Sequence, residues 1–177
     1  STPPAPADRL RDLGASMPPR IASLTLPGIP RLGGRLPRHC ENAQKVAEFL
    51  EAHDLVEWVS HAGLPSSPYH DLAQKYLPRG KGAVFTFGVT GGYEMGLKVV
   101  ENVDLFSHLA NVGDTRSLIL HPASTTHRQL TDEQREAAGA GDNVIRLSIG
   151  LETPEDLIDD LAHALDRAAK ESPKAAE

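Results

Sequence analysis

A chain of 177 residues is long enough for one domain with a real core plus some tail. Its 40% hydrophobic and 24% charged residues exclude a wholly disordered chain, and a formal charge of −6 argues against nucleic acid as the main partner, because phosphate binding needs a concentrated basic face. The single cysteine, Cys40, excludes an intramolecular disulfide and any Cys-pair metal site, and fits a reducing, cytoplasmic setting.

No apolar run approaches membrane-spanning length, so no membrane role is expected. The opening Ser1-Thr2-Pro3-Pro4-Ala5-Pro6 has no hydrophobic signal core, and without an initiating Met the chain is expected to be a fragment. Residues 1–38 hold eight of the 14 prolines, each of which removes a backbone donor. They read as an irregular linker or arm. Arg9, Arg11, Arg20, Arg31, Arg35 and Arg38 make this stretch locally basic, yet no aromatic residue interleaves with them, so it reads as a solvated segment.

From residue 39 the punctuation becomes regular. Asn42–Ala52 is expected to be helical, with Ala43, Val46, Ala47 and Leu50 on one face. Val56–Val59 reads as a short strand, Gly63–Pro68 as a turn, and His70–Tyr76 as two helical turns before Pro78. The clearest strand is Ala83–Val89, with Phe85, Phe87 and Val89 on one side. Gly91-Gly92 opens a helix to about Asn102, and Leu118–Leu120 is a third strand. Thr131-Asp132-Glu133-Gln134 is a capping box, and Val144–Ile149 is a fourth strand. Thr153-Pro154-Glu155-Asp156 starts a last helix, which runs through Leu157, Leu161 and Leu165 to Lys170. Residues 171–177 should fray as a tail. Strands alternating with helices imply an α/β class, an α+β sandwich with a small four-stranded sheet covered on one face by helices.

Several residues could carry chemistry. On the last strand Ile145, Leu147 and Ile149 point one way and Arg146 and Ser148 the other. A strand-borne guanidinium presents a planar fork that suits a carboxylate, while on spacing alone the plainer reading is a surface arginine paired with one of the chain's 24 acids. Asn111-Val112-Gly113-Asp114 allows a tight turn whose exposed amides could hold an anion, or an ordinary turn. His121 and His127 match no zinc spacing, and Ser124 with His127 lacks a nucleophile elbow. Gly88–Gly92 lacks the Lys-Ser/Thr ending of a P-loop and reads as a turn needing positive φ.

The runs Glu41–Leu50, Val56–Val59, Gly63–Pro68, Gly82–Phe87, Leu105–Asp114, His121–His127 and Ile145–Glu152 together carry a resemblance. Over residues 39–169 the chain resembles the C-terminal small domain of the O-acetylhomoserine sulfhydrylases. These are a branch of the pyridoxal-phosphate enzymes of cysteine and methionine metabolism, whose small domains belong to fold-type I enzymes. The resemblance implies a domain at 39–170 that binds an amino-acid substrate, with Arg146 clamping its α-carboxylate. It implies that Asn111 and the backbone at Val112 line the same pocket, with the His121–His127 turn as support. It implies pyridoxal phosphate as the cofactor of the complete enzyme, no metal, and a homo-oligomer when complete, a tetramer whose interface the missing cofactor domain would mostly make.

Two departures accompany it. Arg11–Ala15 is similar to the family's lead-in, but Met17–Ser23 with Pro27, Pro30, Gly33 and Gly34 replaces the long helix that follows there. The cofactor lysine, the acid beside the pyridine nitrogen and the phosphate loop belong to a domain this chain does not include, so it is expected to be inactive alone. The other readings are another trans-sulfuration enzyme, a cystathionine γ-synthase or lyase, and a non-catalytic interaction domain.

Overall fold

The computed structural model describes residues 17–125, 131, 139 and 141–172. The helix expected from the Thr131–Gln134 capping box, the Thr126–His127 end of the histidine turn, the Arg11–Ala15 lead-in and the fraying tail from residue 173 lie outside them. The chain divides into two compact units, Ser1–Arg35 and Leu36–Glu177.

The expectation of an irregular proline-rich arm is corrected over residues 19–25 and 29–38, which are helical. Helix α1 spans Pro19–Thr25 and α2 spans Ile29–Glu51, thirteen residues ahead of the start expected at Asn42. Proline position explains the difference. Pro19 and Pro30 sit in first turns, where no intrahelical N–H is needed and the fixed φ favours the helix. Among the described residues only Pro37 lies in a helix interior. It removes the bond to the carbonyl of Gly33, but both residues are exposed, so water can satisfy that carbonyl.

The second unit is a five-stranded sheet with helices. Strand β1 is Val56–Ser60, α3 His70–Tyr76, β2 Val84–Val89, α4 Gly92–Glu101, β3 Ser107–His108, β4 Leu118–Leu120, β5 Val144–Ser148 and α5 Pro154–Glu171. The strand order is β1-β2-β5-β4-β3, antiparallel except for the parallel β3–β4 pair. The expected four strands become five because Ser107 and His108 pair with Leu118 and Ile119. Two residues carry no detectable alternation, so only the neighbouring strand reveals them.

One sheet face is the core. Phe87, Val89, Ile145 and Leu147 are fully buried there, with Phe85 and Ile149 nearly so. Against them lie Val46, Ala47 and Leu50 of α2, Met95 and Val99 of α4, and Leu157, Leu161 and Leu165 of α5, in one cluster. Each such large side chain contributes about 1.5–3 kcal/mol by leaving water. Gly91 and Gly92, at φ 84° and 67°, make the left-handed entry to α4 that their sequence predicts. Thr153 does cap α5 by position, followed by Pro154, Glu155 and Asp156, but its side chain makes no capping hydrogen bond. Instead, Glu155 accepts from its own backbone N–H and attracts Lys45, which holds its carboxyl below the usual range.

The other face is open along β1 and β2, while Val144 and Ser148 of β5 and Leu118 and Leu120 of β4 are buried on it. Cross-strand register places Ser60, Thr86, Arg146 and Leu120 in one row across β1, β2, β5 and β4, and Trp58, Gly88 and Val144 in the next. Trp58 and Val84 on this face are 39% and 38% exposed.

His61, just past β1, is buried edge-on against Phe85 at 5.2 Å, and its Nδ1 accepts from the Gly63 N–H at 3.2 Å. Burial pushes its pKa below the ordinary 6.5, while the Gly82 carbonyl and the Glu48 carboxylate pull the other way. The folded state therefore binds fewer protons than the unfolded state just below pH 6.5, and stability declines as the pH falls through that window. The decline ends once folded His61 is itself protonated. Urea unfolding of the parent and of His61→Phe between pH 5 and 7.5 checks this. The parent's stability should drop more steeply with acid, and equal slopes would exclude His61 as the cause.

Candidate functional site

Arg146 is where the alternation places it, in the middle of β5 on the face away from the core helices, flanked across the ladder by Thr86 and Leu120. It is half-buried. Among the described residues its side chain makes no hydrogen bond and no ion pair. The alternative of a surface arginine satisfied by a neighbouring acid therefore finds no partner here. A guanidinium offers five donors in a planar fork, so it can meet a carboxylate with two parallel bonds.

The Asn111–Asp114 turn precedes β4. Asn111 Oδ1 accepts the Val112 N–H at 2.8 Å, and Asn111 Nδ2 donates to Asp114 Oδ2 at 3.5 Å. Asp114 Oδ1 accepts the Arg116 N–H at 3.1 Å, and its other oxygen lies 3.4 Å from the Arg116 guanidinium. These bonds from the Arg116 backbone and side chain hold the Asp114 carboxyl below its usual range. The Val112 amide, one of those expected to be open to an anion, is thus already donated inside the turn, and the Arg116 amide just beyond it is donated to Asp114. The Val112 side chain is 69% exposed.

His121 serves as structural support. Its Nε2–H donates to the Asp142 carbonyl at 2.7 Å, its ring stands edge-on to Tyr93, and its own carbonyl accepts from the Thr125 hydroxyl at 2.7 Å. The Ser124 hydroxyl likewise donates to that carbonyl, at 3.2 Å. Among the described residues no group of three or more His, Cys, Asp or Glu could hold a metal, and no helix is long and apolar enough to cross a membrane.

The part that the sequence does not reveal is a set of polar ties around residues 149–152. From α2, Arg38 donates to the Leu151 and Glu152 carbonyls at 3.0 and 3.3 Å. His39 donates to the Ile149 carbonyl at 2.7 Å, and Asn42 donates to those of Gly150 and Glu152 at 3.1 and 2.8 Å. The Glu152 carboxylate reaches the other way and accepts both the N–H and the hydroxyl of Ser117, at 2.7 and 2.8 Å. On the far side of the turn, Asp160 of α5 accepts the N–H groups of Asp104, Leu105 and Phe106 at 2.8, 3.0 and 3.4 Å.

The described residues do not fit pyridoxal phosphate. A lysine that bonds a cofactor aldehyde must shed its proton, which burial near other cations favours. Here Lys98 is gripped by Glu101 at 3.1 Å, which raises its pKa. Lys45 pairs with Glu155 at 3.5 Å, and half-buried Lys81 donates to the Leu77 carbonyl. The glycine turn at 91–92 lacks a basic side chain for a phosphate.

Known proteins agree on the kinship. An O-acetyl-L-homoserine sulfhydrylase 1 of Thermus thermophilus is 48% identical over 161 residues, covering 91% of this chain and 38% of the relative. An L-methionine gamma-lyase of Porphyromonas gingivalis is also 48% identical, over 89% of this chain and 39% of its own length. A solved structure from Campylobacter jejuni, described as an O-acetylhomoserine (thiol)-lyase carrying pyridoxyl-lysine monophosphate, superposes with a TM-score of 0.83. It is 44% identical and is covered over 37% of its length. The chain thus spans under two-fifths of the length of these three proteins. A family model described as Cys/Met metabolism PLP-dependent enzyme matches residues 5–166, and the chain belongs to that family.

Proposed function

We propose that this chain is the substrate-recognition domain of an O-acetylhomoserine sulfhydrylase, a transferase of methionine biosynthesis that replaces the acetoxy group of O-acetylhomoserine with sulfide to give homocysteine and acetate. Its domain comprises residues 39–170. The observation that carries the reading is Arg146: a guanidinium without a partner among the described residues, half-buried on the sheet face away from the core helices, matched to the α-carboxylate of an amino acid. Asn111 and Val112, on the turn before the neighbouring strand, line the same pocket. Fixing the carboxylate orients the substrate, which is a positioning role and involves no proton transfer.

The cofactor and its lysine belong to the remainder of the complete protein, and the length of the relatives supports such a remainder. Complete, the protein is a homotetramer of the cytoplasm. Incubating it with O-acetylhomoserine and sulfide should yield homocysteine, and its absence would remove the sulfhydrylase reading. A second reading, a γ-lyase, is favoured by the equal identity of the methionine gamma-lyase relative. It predicts methanethiol, a 2-oxo acid and ammonia from methionine and water.

The isolated chain should hold no pyridoxal phosphate and be inactive alone. Adding the cofactor and scanning the visible range after dialysis checks this. A stable protein-bound band, abolished by replacing one lysine, would overturn the assignment of the cofactor to the remainder.

A further inference from the structure

We infer that Glu152 is a positioning residue for the carboxylate site, tying the exit of the Asn111–Asp114 turn to the end of the strand that carries Arg146. This rests on the reading of Arg146 and the turn as parts of one site.

The bonds run in a closed circuit. Glu152 Oε1 accepts the Ser117 N–H at 2.7 Å, and Oε2 accepts the Ser117 hydroxyl at 2.8 Å. That hydroxyl oxygen in turn accepts the Gly150 N–H at 2.8 Å, and the Leu151 N–H donates to the Thr115 carbonyl at 2.9 Å. Ser117 is completely buried, so water cannot replace these partners. Arg38, His39 and Asn42 occupy the carbonyls of residues 149–152 from the α2 side, which fixes the backbone from which Glu152 reaches out.

The ladder alone holds the turn weakly. β4 pairs with β5 at only three positions, Leu118 with Ser148, Ile119 with Leu147 and Leu120 with Arg146. A slip of one residue would invert every β4 side chain and move the turn along the strand relative to Arg146. Residues 115–117 are the only stretch between the turn and that ladder, and Glu152 grips their last residue twice. Charge-assisted bonds of this kind are about twice as strong as neutral ones. Glu152 touches no substrate in this arrangement, and it acts through Ser117.

The test uses the complete enzyme with O-acetylhomoserine, comparing Glu152→Ala, Glu152→Gln, Ser117→Ala and Arg146→Lys. Glu152→Ala should raise KM about tenfold while kcat stays within about threefold and the cofactor absorbance is unchanged. Gln, whose amide oxygen can still accept the Ser117 N–H, should recover most of the KM. A merely structural staple would instead lower the melting temperature and the active fraction, leaving KM at the parent value, and that result overturns the inference. Combined with Arg146→Lys, the effect of Glu152→Ala should be smaller than in the parent, because both act on one contact. Independent multiplication of the two effects would count against it.

The two levels of the reading separate cleanly. If Arg146→Lys leaves KM unchanged, the carboxylate site itself is wrong and the inference falls with it. If Arg146→Lys raises KM and Glu152→Ala does not, only the inference falls. Should Glu152→Ala fail to accumulate, amide exchange in the 177-residue chain decides through Ser117→Ala. Exchange should quicken across residues 109–117 and stay unchanged at Phe85 and Phe87, and exchange equal to the parent's at 109–117 overturns the proposal.

Discussion

Gly150→Ala is expected to lower the thermal unfolding midpoint by roughly 6–12 °C. A Cβ placed on Gly150 would stand 2.4 Å from the Thr115 carbonyl oxygen, 2.6 Å from the Arg116 carbonyl carbon and 2.5 Å from Glu152 Oε2. Two of these neighbours are backbone, so no rotamer change relieves the overlap. The segments must part, which strains or breaks the Leu151–Thr115 and Gly150–Ser117 bonds. Overpacking costs about 1–3 kcal/mol and each lost bond about 0.5–1.5 kcal/mol, so about 3 kcal/mol in total is expected. For a chain of this size each kcal/mol shifts the midpoint by about 2–4 °C. Gly33→Ala is the control, since nothing lies within 4 Å of a Cβ there and the residue is in a helix. Alanine is favoured over glycine in a helix by about 1 kcal/mol, so that variant should melt no lower than the parent. Circular dichroism melts of both variants decide the matter. A midpoint for Gly150→Ala within about 2 °C of the parent's would mean that the two segments are not as tightly joined as these distances require.

Local pattern made most of the second unit legible. The strand at residues 84–89 and the helices at 70–76, 92–101 and 154–171 follow from apolar spacing and from punctuation by Gly91, Pro78 and Pro154. The face of Arg146 followed from period two alone. Proline count misled in residues 19–38, because a count ignores position: a proline in the first turn favours the helix that one in the middle opposes. The fifth strand escaped because a two-residue parallel pair is created by its partner and has no periodicity of its own.

The ties around Glu152 were hidden for a different reason. Asn42 and Gly150 are 108 residues apart, and Ser117 and Glu152 are 35 apart. Nothing local distinguishes Ser117 from a serine at the start of any strand. The sequence placed Glu152 in a segment carrying the family resemblance, yet gave it no chemical task. Similarly, Asn111 and Val112 could be named as neighbours of a carboxylate, but not that the Asn111 side chain already accepts the Val112 N–H. If this turn does line the site, substrate must compete for that N–H or be bound by the Asn111 amide instead.

Arg146→Lys in the complete enzyme is expected to reduce kcat/KM for O-acetylhomoserine by about one to two orders of magnitude. Lysine keeps the positive charge, but it replaces a planar fork with a compact point charge and cannot meet both carboxylate oxygens in parallel. A hydrogen bond to a charged group contributes about 1.5–3 kcal/mol, and each 1.4 kcal/mol is a factor of ten. Position sharpens the expectation. Arg146 rises from the centre of a strand paired on both sides, with Thr86 and Leu120 as neighbours, so its backbone cannot shift to let a shorter side chain reach. The absorbance of the bound cofactor should not change, because no described residue of this domain fits the cofactor. The melting temperature should also change little, since Arg146 makes no ion pair or hydrogen bond that lysine would lose. A surface arginine without a ligand would tolerate lysine almost freely. Steady-state kinetics of the purified variant separate the two cases: kcat/KM within about twofold of the parent, worth well under 1 kcal/mol, would remove Arg146 from the site.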